Sequence, residues 1–296
     1  MRKIIILLIV VLGINACNNQ QQSQEQNKKT ITVSILPQRY FVEKIVGDHF
    51  KINVMIPPGA SPVTYEPTPI QMKELSVSSL YIRIGHIEFE KAWMSKLQNI
   101  NPDMQIIDQS FSANLIEPED EEEDEHDHVG HHHHGVDPHI WTSTREVKKQ
   151  ADFLYQYFVS NYPNLKLELT NNYISFINEI DSLDAFLNKN LQASQGRKFL
   201  VFHPALSYFA RDYGLEQISI EIDGKEPTPS NIQEVIELAK KDNIKVVFVQ
   251  KQFSTHNAEV IAKEINGRVI QIDPLSEDWI ESIKFIAQEI VKSYSN

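Results

Sequence analysis

His203-Pro204 follows the apolar run 199–202, Asp273-Pro274 follows 269–272, and His86 follows Gly85 after 80–84. His139 follows Asp137-Pro138 just ahead of a long helical pattern. Imidazole nitrogens and carboxylate oxygens both ligate transition metals, and Zn²⁺ accepts a mixed set of them in tetrahedral geometry. The flanking prolines fix φ and stiffen the backbone that would carry such ligands. Taken singly these residues are ordinary, since a lone histidine serves many roles and Asp-Pro is a common turn. Together they sit at strand ends or at a loop–helix junction, in both halves of the chain. The carboxyl ends of strands are where open α/β sheets place their ligands. His86, His139, His203 and Asp273 therefore form a candidate metal site.

The elements that must position them can be read from periodicity. Strands are expected over 31–36, 51–56, 80–84 and 105–108, alternating with helical spacing over 40–46, from 70 to 75 and around 93–97. After residue 144 the pattern is helical for a long way. Val147, Ala151, Leu154, Tyr155 and Phe158 share one face, and Asn161-Tyr162-Pro163 interrupts. Leu169, Tyr173, Phe176, Ile177, Ile180, Leu183 and Leu187 then recur at helical spacing. That second helix, over 165–191, would span roughly 40 Å, which is long for one lobe and suits a strut between two. Strands resume at 199–202, 217–221, 245–249 and 268–272, with helices over 205–212, 231–241, 258–265 and 279–294. Ser230 is the expected N-cap of the second of these, with Gln233 closing a capping box. The expected class is α/β, with two lobes, each a mostly parallel sheet flanked by helices. A long linking helix joins the lobes, and the metal site lies in the cleft. The expected boundaries are 30–143 for the first lobe, 144–194 for the helical linker and 195–296 for the second lobe.

Met1-Arg2-Lys3, the apolar run 4–14 and Asn15-Ala16-Cys17 read as an export signal. The run is shorter than the roughly 20 residues a permanent bilayer span needs. Cys17 is the sole cysteine, which excludes an internal disulfide. Its position resembles a bacterial lipobox, so residues 1–17 are expected to be a lipoprotein signal with the lipid on Cys17. Residues 18–29, rich in Gln, Asn, Ser and Lys, are expected to be a flexible tether. The body would then be lipid-anchored on the periplasmic or cell-surface side; the alternative is an ordinary signal peptide with an incidental cysteine.

The net charge of −12 comes mostly from one segment. Nine carboxylates lie between Glu117 and Asp127, and without them the balance would be −3. Nothing suggests a basic face for nucleic acid. His126, His128, His131, His132, His133 and His134 lie in or beside that acidic segment. The stretch 117–134 has no apolar periodicity and is expected to be a mobile loop that binds metal ions loosely and concentrates cations.

Several stretches recur in the order of a known family over about 31–290. They are Pro58-Gly59-Ala60-Ser61-Pro62, Tyr65-Glu66-Pro67-Thr68-Pro69, Val136-Asp137-Pro138-His139-Ile140-Trp141, Phe202-His203-Pro204-Ala205, Gly224-Lys225-Glu226-Pro227 and Ile272-Asp273-Pro274-Leu275. With them the chain resembles the metal-binding receptors of ABC importers for zinc and manganese, the zinc branch in particular. The resemblance implies a non-enzymatic, monomeric receptor that delivers its ion to an ABC permease, with His139, His203 and Asp273 as ligands. Zinc-type members tend to carry histidine at the position of His203 and manganese-type members glutamate, so Zn²⁺ is expected ahead of Mn²⁺. His-rich loops are also a feature of the zinc type.

The chain departs from the family at one ligand. Members often read Pro-His-x-Tyr where this chain reads Pro62-Val63-Thr64-Tyr65, and a valine side chain binds no metal. Either water completes a three-ligand set or another group does, with His86 as the candidate and Glu66 as a weaker one. The plain alternative for His86 is a loop histidine. Two rival functions stay open at this point, a zinc hydrolase and a metal-buffering or adhesive surface lipoprotein. Against the first, the chain has no His-Glu-x-x-His helix and no evident general base beside the candidate ligands.

Overall fold

The structure, a computed structural model, describes residues 28–117, 135–221 and 225–294. The readings that fall on Cys17, the signal segment, nearly all of the tether, and His126, His128, His131, His132, His133 and His134 lie outside the described residues.

The first lobe is built on β1 (Lys29–Val33), β2 (Phe50–Val54), β3 (Ser78–Arg83) and β4 (Gln105–Asp108), in the order β2-β1-β3-β4. The second uses β5 (Lys198–Val201), β6 (Glu216–Ser219), β7 (Val246–Gln250) and β8 (Arg268–Ile272), in the order β6-β5-β7-β8. All six strand pairings are parallel. The two sheets thus repeat one topology, and each has a switch point where the order reverses, between β1 and β3 and between β5 and β7. Loops leaving the carboxyl ends of those strands diverge there and leave a crevice.

Helices α1 (Leu36–Val46), α2 (Pro69–Leu75) and α3 (Glu88–Ile100) belong to the first lobe. Helices α6 (Ser207–Tyr213), α7 (Pro229–Lys241), α8 (His256–Glu264) and α9 (Trp279–Ser293) belong to the second. Between them run α4 (Thr144–Asn161) and α5 (Lys166–Leu191). With 26 residues, α5 is about 39 Å long at the standard rise. Its buried side chains Leu169, Phe176, Ile180, Leu183, Leu187 and Leu191 line one stripe. That stripe packs along α4 and against α1 and α9, so the helix touches both lobes.

Some boundaries differ from the sequence reading for identifiable reasons. β1 begins at Lys29, inside the stretch read as tether, and ends at Val33 instead of residue 36. The chain leaves the ladder because the Gln38 side-chain carbonyl accepts from the backbone N–H of Ser34 and Ile35, at 3.0 and 3.3 Å. Pro37 then sits in the first turn of α1, where its missing N–H costs nothing. The cap of α7 is Thr228 with Asn231 as its partner, in place of Ser230 and Gln233. Pro229 decides this, since proline fits the first helical position and the cap must precede it. A tight turn from Ala205 N–H to His203 C=O, at 2.7 Å, delays α6 to Ser207.

The interior is continuous between the two lobes. One hydrophobic core runs from Ile31 and Val33 through Leu154, Phe158, Phe176 and Leu183 to Phe199, Val201, Phe248 and Ile290. A smaller core of Leu200, Phe202, Ile218, Val247 and Ile261 lies on the other face of the second sheet, against α7 and α8. The alternation of residues 199 and 201 with 200 and 202 follows the period of a strand covered on both faces. Because both lobes share the larger core, a wide hinge opening would expose apolar surface at roughly 25 cal/mol per Å².

Polar ties reinforce this junction. Arg211 on α6 donates to Glu146 on α4 at 2.8 Å, and Glu146 also accepts from Asn114 N–H at 2.9 Å. Burial pushes the Glu146 carboxyl up, but the Asn114 amide, Lys149 and Arg211 outweigh it and hold the group below the usual carboxylate range. Among the described residues no helix is long and apolar enough to cross a membrane.

Candidate metal centre

His203 emerges from the central strand β5 at the switch point of the second sheet. The Gln250 side chain, at the end of neighbouring β7, clamps its backbone. The carbonyl of Gln250 accepts from His203 N–H at 3.2 Å, and its amide donates to His203 C=O at 2.6 Å. On the other side, beyond β6, Glu221 is 4 % exposed and brings Oε2 to 2.6 Å from His203 Nδ1. Phe253 stacks on the ring at 5.0 Å between centroids.

His139 comes from the chain entering α4. Its carbonyl accepts from the N–H and the hydroxyl of Thr142, which shapes the short turn before the Ser143 cap. Asp137, 1 % exposed, brings Oδ1 to 2.9 Å from His139 N and 2.7 Å from its Nδ1. Tyr208 of α6 holds this loop from the second lobe, donating its hydroxyl to Asp137 C=O at 2.7 Å and accepting from Ile116 N–H at 3.0 Å. The Trp141 ring lies 5.1 Å from His139. Trp141 donates Nε1–H to Pro274 C=O at 3.0 Å and accepts at its own carbonyl from Trp279 Nε1–H at 2.7 Å.

The two histidines repeat one design, and its consequence is electrostatic. A carboxylate only accepts, so each favours the tautomer with the hydrogen on Nδ1, which leaves Nε2 as the nitrogen available to a metal. The two Nε2 atoms face each other at 3.2 Å. Two rings in that tautomer would set lone pair against lone pair, and a cation between them would remove that repulsion. Two nitrogens bound to one tetrahedral Zn²⁺ at about 2.0–2.1 Å would be about 3.3 Å apart. Carboxylates on the far nitrogens fix the tautomer and raise the basicity of the ligating ones, the usual support for metal-bound imidazole.

The other sequence candidates stand differently. Among the described residues no group of three His, Cys, Asp or Glu side chains converges closely enough to hold an ion. Asp273, after β8, is engaged with Lys251, Gln252 and Leu275 N–H. His86 follows β3 with φ +64°, after Gly85 at φ +86°. A Cβ on Gly85 would meet the Ser110 side chain at 2.5 Å, so only glycine fits there. The buried Glu90 carboxylate holds this loop by accepting from Ile84 and Gly85 N–H, both at 2.9 Å. Phe89 N–H donates to Pro62 C=O at 3.0 Å, which sets the His86 loop beside the loop that carries Val63. Glu66 is exposed.

Asp137 and Glu221, which support the two imidazoles, do not stand out in the sequence. The Asp-x-His spacing was the available signal for Asp137, and Glu221 gave none beyond its place at a strand end. Asp137→Asn and Glu221→Gln should each weaken Zn²⁺ binding about 10- to 100-fold. Competition against a chromophoric chelator at substoichiometric zinc will measure this, and wild-type affinity in both variants would contradict the support role.

Two parallel-sheet lobes on a helical spine, with two facing imidazoles between them, have the architecture of the two-lobed substrate-binding proteins. The chain belongs to the family described as zinc-uptake complex component A, periplasmic (ZnuA), which matches residues 31–293. A crystal structure of ZnuA superposes with a TM-score of 0.82 at 38% identity, covering 90% of this chain and 99% of that one. The zinc-binding lipoprotein AdcA of Streptococcus pneumoniae (strain ATCC BAA-255 / R6) is 27% identical over 292 residues, covering 96% of this chain. This chain spans just over half, 57%, of that relative's length. The high-affinity zinc uptake system protein ZnuA of Bacillus subtilis (strain 168) is 24% identical over 274 residues, covering 91% of this chain and 85% of the relative.

Proposed function

We propose that the protein captures Zn²⁺ between its lobes outside the inner membrane and delivers it to an ABC permease, with Cys17 as the lipid anchor. The observation that carries this reading is the pair of Nε2 atoms 3.2 Å apart, each backed by a buried carboxylate on its own Nδ1. The family and the zinc proteins it resembles support the choice of ion over Mn²⁺. His139 comes from the approach to α4 and His203 from the second sheet, so one ion would bridge the two parts. Asp273 adds charge from the second lobe. His86 is the candidate to fill the place left by Val63, because its loop is hydrogen-bonded to the Val63 loop through Phe89 and Pro62.

The shared core argues against a wide clam-shell motion, so release would depend on small shifts of the ligand loops. The work is binding and transfer, with no covalent step.

Zinc-limited growth of a strain lacking the gene tests this. Wild-type protein should restore growth and the His139→Ala/His203→Ala double variant should not. His86→Ala should bind Zn²⁺ at least about tenfold more weakly, consistent with loss of one ligand among four; unchanged affinity removes His86 from the site. Growth independent of the protein, or steady ester or peptide turnover by the zinc-loaded form, would contradict the receptor reading.

A further inference from the structure

We propose that Lys251 is a positioning residue that competes with the bound cation for the Asp273 carboxylate and so sets how readily the metal leaves. The inference rests on the reading of Asp273 as a ligand.

The last residue of β7 and the loop that follows it manage both second-lobe candidates. Gln250 clamps the His203 backbone and Phe253 stacks on the His203 ring. Between them, Lys251 Nζ lies 3.4 Å from Asp273 Oδ2, and Gln252 donates to Asp273 Oδ1 at 3.3 Å. Leu275 N–H also donates to Oδ1, at 3.2 Å. The backbone on both sides is fixed. Lys251 N–H donates to Ile272 C=O at 3.0 Å, and the Ser282 hydroxyl donates to Asp273 C=O at 2.5 Å. The freedom left to Asp273 is therefore rotation of its side chain.

The imidazole pair is already assembled, and the carboxylate is held within its own lobe by an ammonium and an amide. Bringing it onto a cation shared with His139 and His203 exchanges those partners for the metal. What Asp273 contributes to affinity is then its bond to the ion minus the contacts it gives up. Lys251 lowers that net contribution and gives the carboxylate somewhere to go when the ion leaves. Its exposed ammonium makes the exchange cheap, because partly exposed ion pairs are weak.

The test is a double-mutant cycle on the full mature chain at or below one equivalent of Zn²⁺. Affinity is read by chelator competition, and release is read by stopped-flow mixing with excess EDTA. Lys251→Met should bind roughly three- to fivefold tighter and release correspondingly slower, the scale of an exposed pair. Lys251→Arg should behave as wild type. Asp273→Asn should bind at least about tenfold weaker, and in that background Lys251→Met should have no further effect.

An equal gain in both backgrounds would mean long-range repulsion between the ammonium and the ion, and would overturn the proposal. So would unchanged or weaker binding by Lys251→Met. Unchanged affinity in Asp273→Asn would remove the carboxylate from the ligand set, and the proposal would fall with that assignment.

Discussion

His203→Ala is expected to lose two to three orders of magnitude in Zn²⁺ affinity. Structural zinc sites are worth about 10–16 kcal/mol, so one ligand of four carries about 3 kcal/mol, and each 1.4 kcal/mol is tenfold. The loss should exceed that of an ordinary surface histidine because His203 is built in on three sides. Gln250 fixes its backbone, Glu221 fixes its tautomer and Phe253 fixes its ring plane. Once it is gone, His139 Nε2 loses the facing His203 nitrogen with which to share a cation. The variant should still fold, since the ring is only partly buried. Circular dichroism matching wild type with chelator competition showing the loss will establish both points. Affinity within a factor of a few of wild type would mean that the ion sits elsewhere.

Trp279→Ala is expected to destabilise the protein by about 3–5 kcal/mol, the usual range for removing a large buried aromatic. Trp279 is 1 % exposed at the start of α9. It packs edge-on against Phe41 of α1 at 5.2 Å and lies 6.5 Å from Tyr40. Phe41 and Tyr40 in turn meet Phe176 of α5 at 6.0 and 5.9 Å. One indole thus closes an aromatic cluster drawn from both lobes and the linking helix. Its Nε1–H also holds the carbonyl of Trp141, two residues beyond His139. Trp279→Phe keeps most of the packing and loses that bond, and should cost less, with about 1 kcal/mol from the hydrogen bond itself. Urea unfolding will test both variants. The continuous core predicts one cooperative transition with a lower midpoint in Trp279→Ala. Two separated transitions would mean that the lobes unfold independently.

The sequence carried the strand–helix alternation, the long α5 and the place of His203 at the end of a strand, because each rests on a local signal. Periodicity marks which face of α5 is apolar, and proline flanks with strand ends mark where side chains meet a crevice. Periodicity does not say what that face will touch, so the larger core, which joins Val33 to Ile290, was not legible. Asp137 and Glu221 were hidden for a related reason. A carboxylate in an acidic chain reads as solvated surface until the fold buries it against an imidazole. Pro37 and Pro229 show a subtler limit, since proline both ends strands and starts helices. Only the Gln38 bonds to Ser34 and Ile35, and the Thr228 cap, reveal which role each plays here.

Zinc K-edge X-ray absorption on the mature chain loaded with less than one equivalent of Zn²⁺ tests the central claim most directly. At least two imidazole nitrogens are expected at about 2.0–2.1 Å from the metal, lost from the spectrum in the His139→Ala/His203→Ala double variant. An identical first shell in that double variant would contradict it.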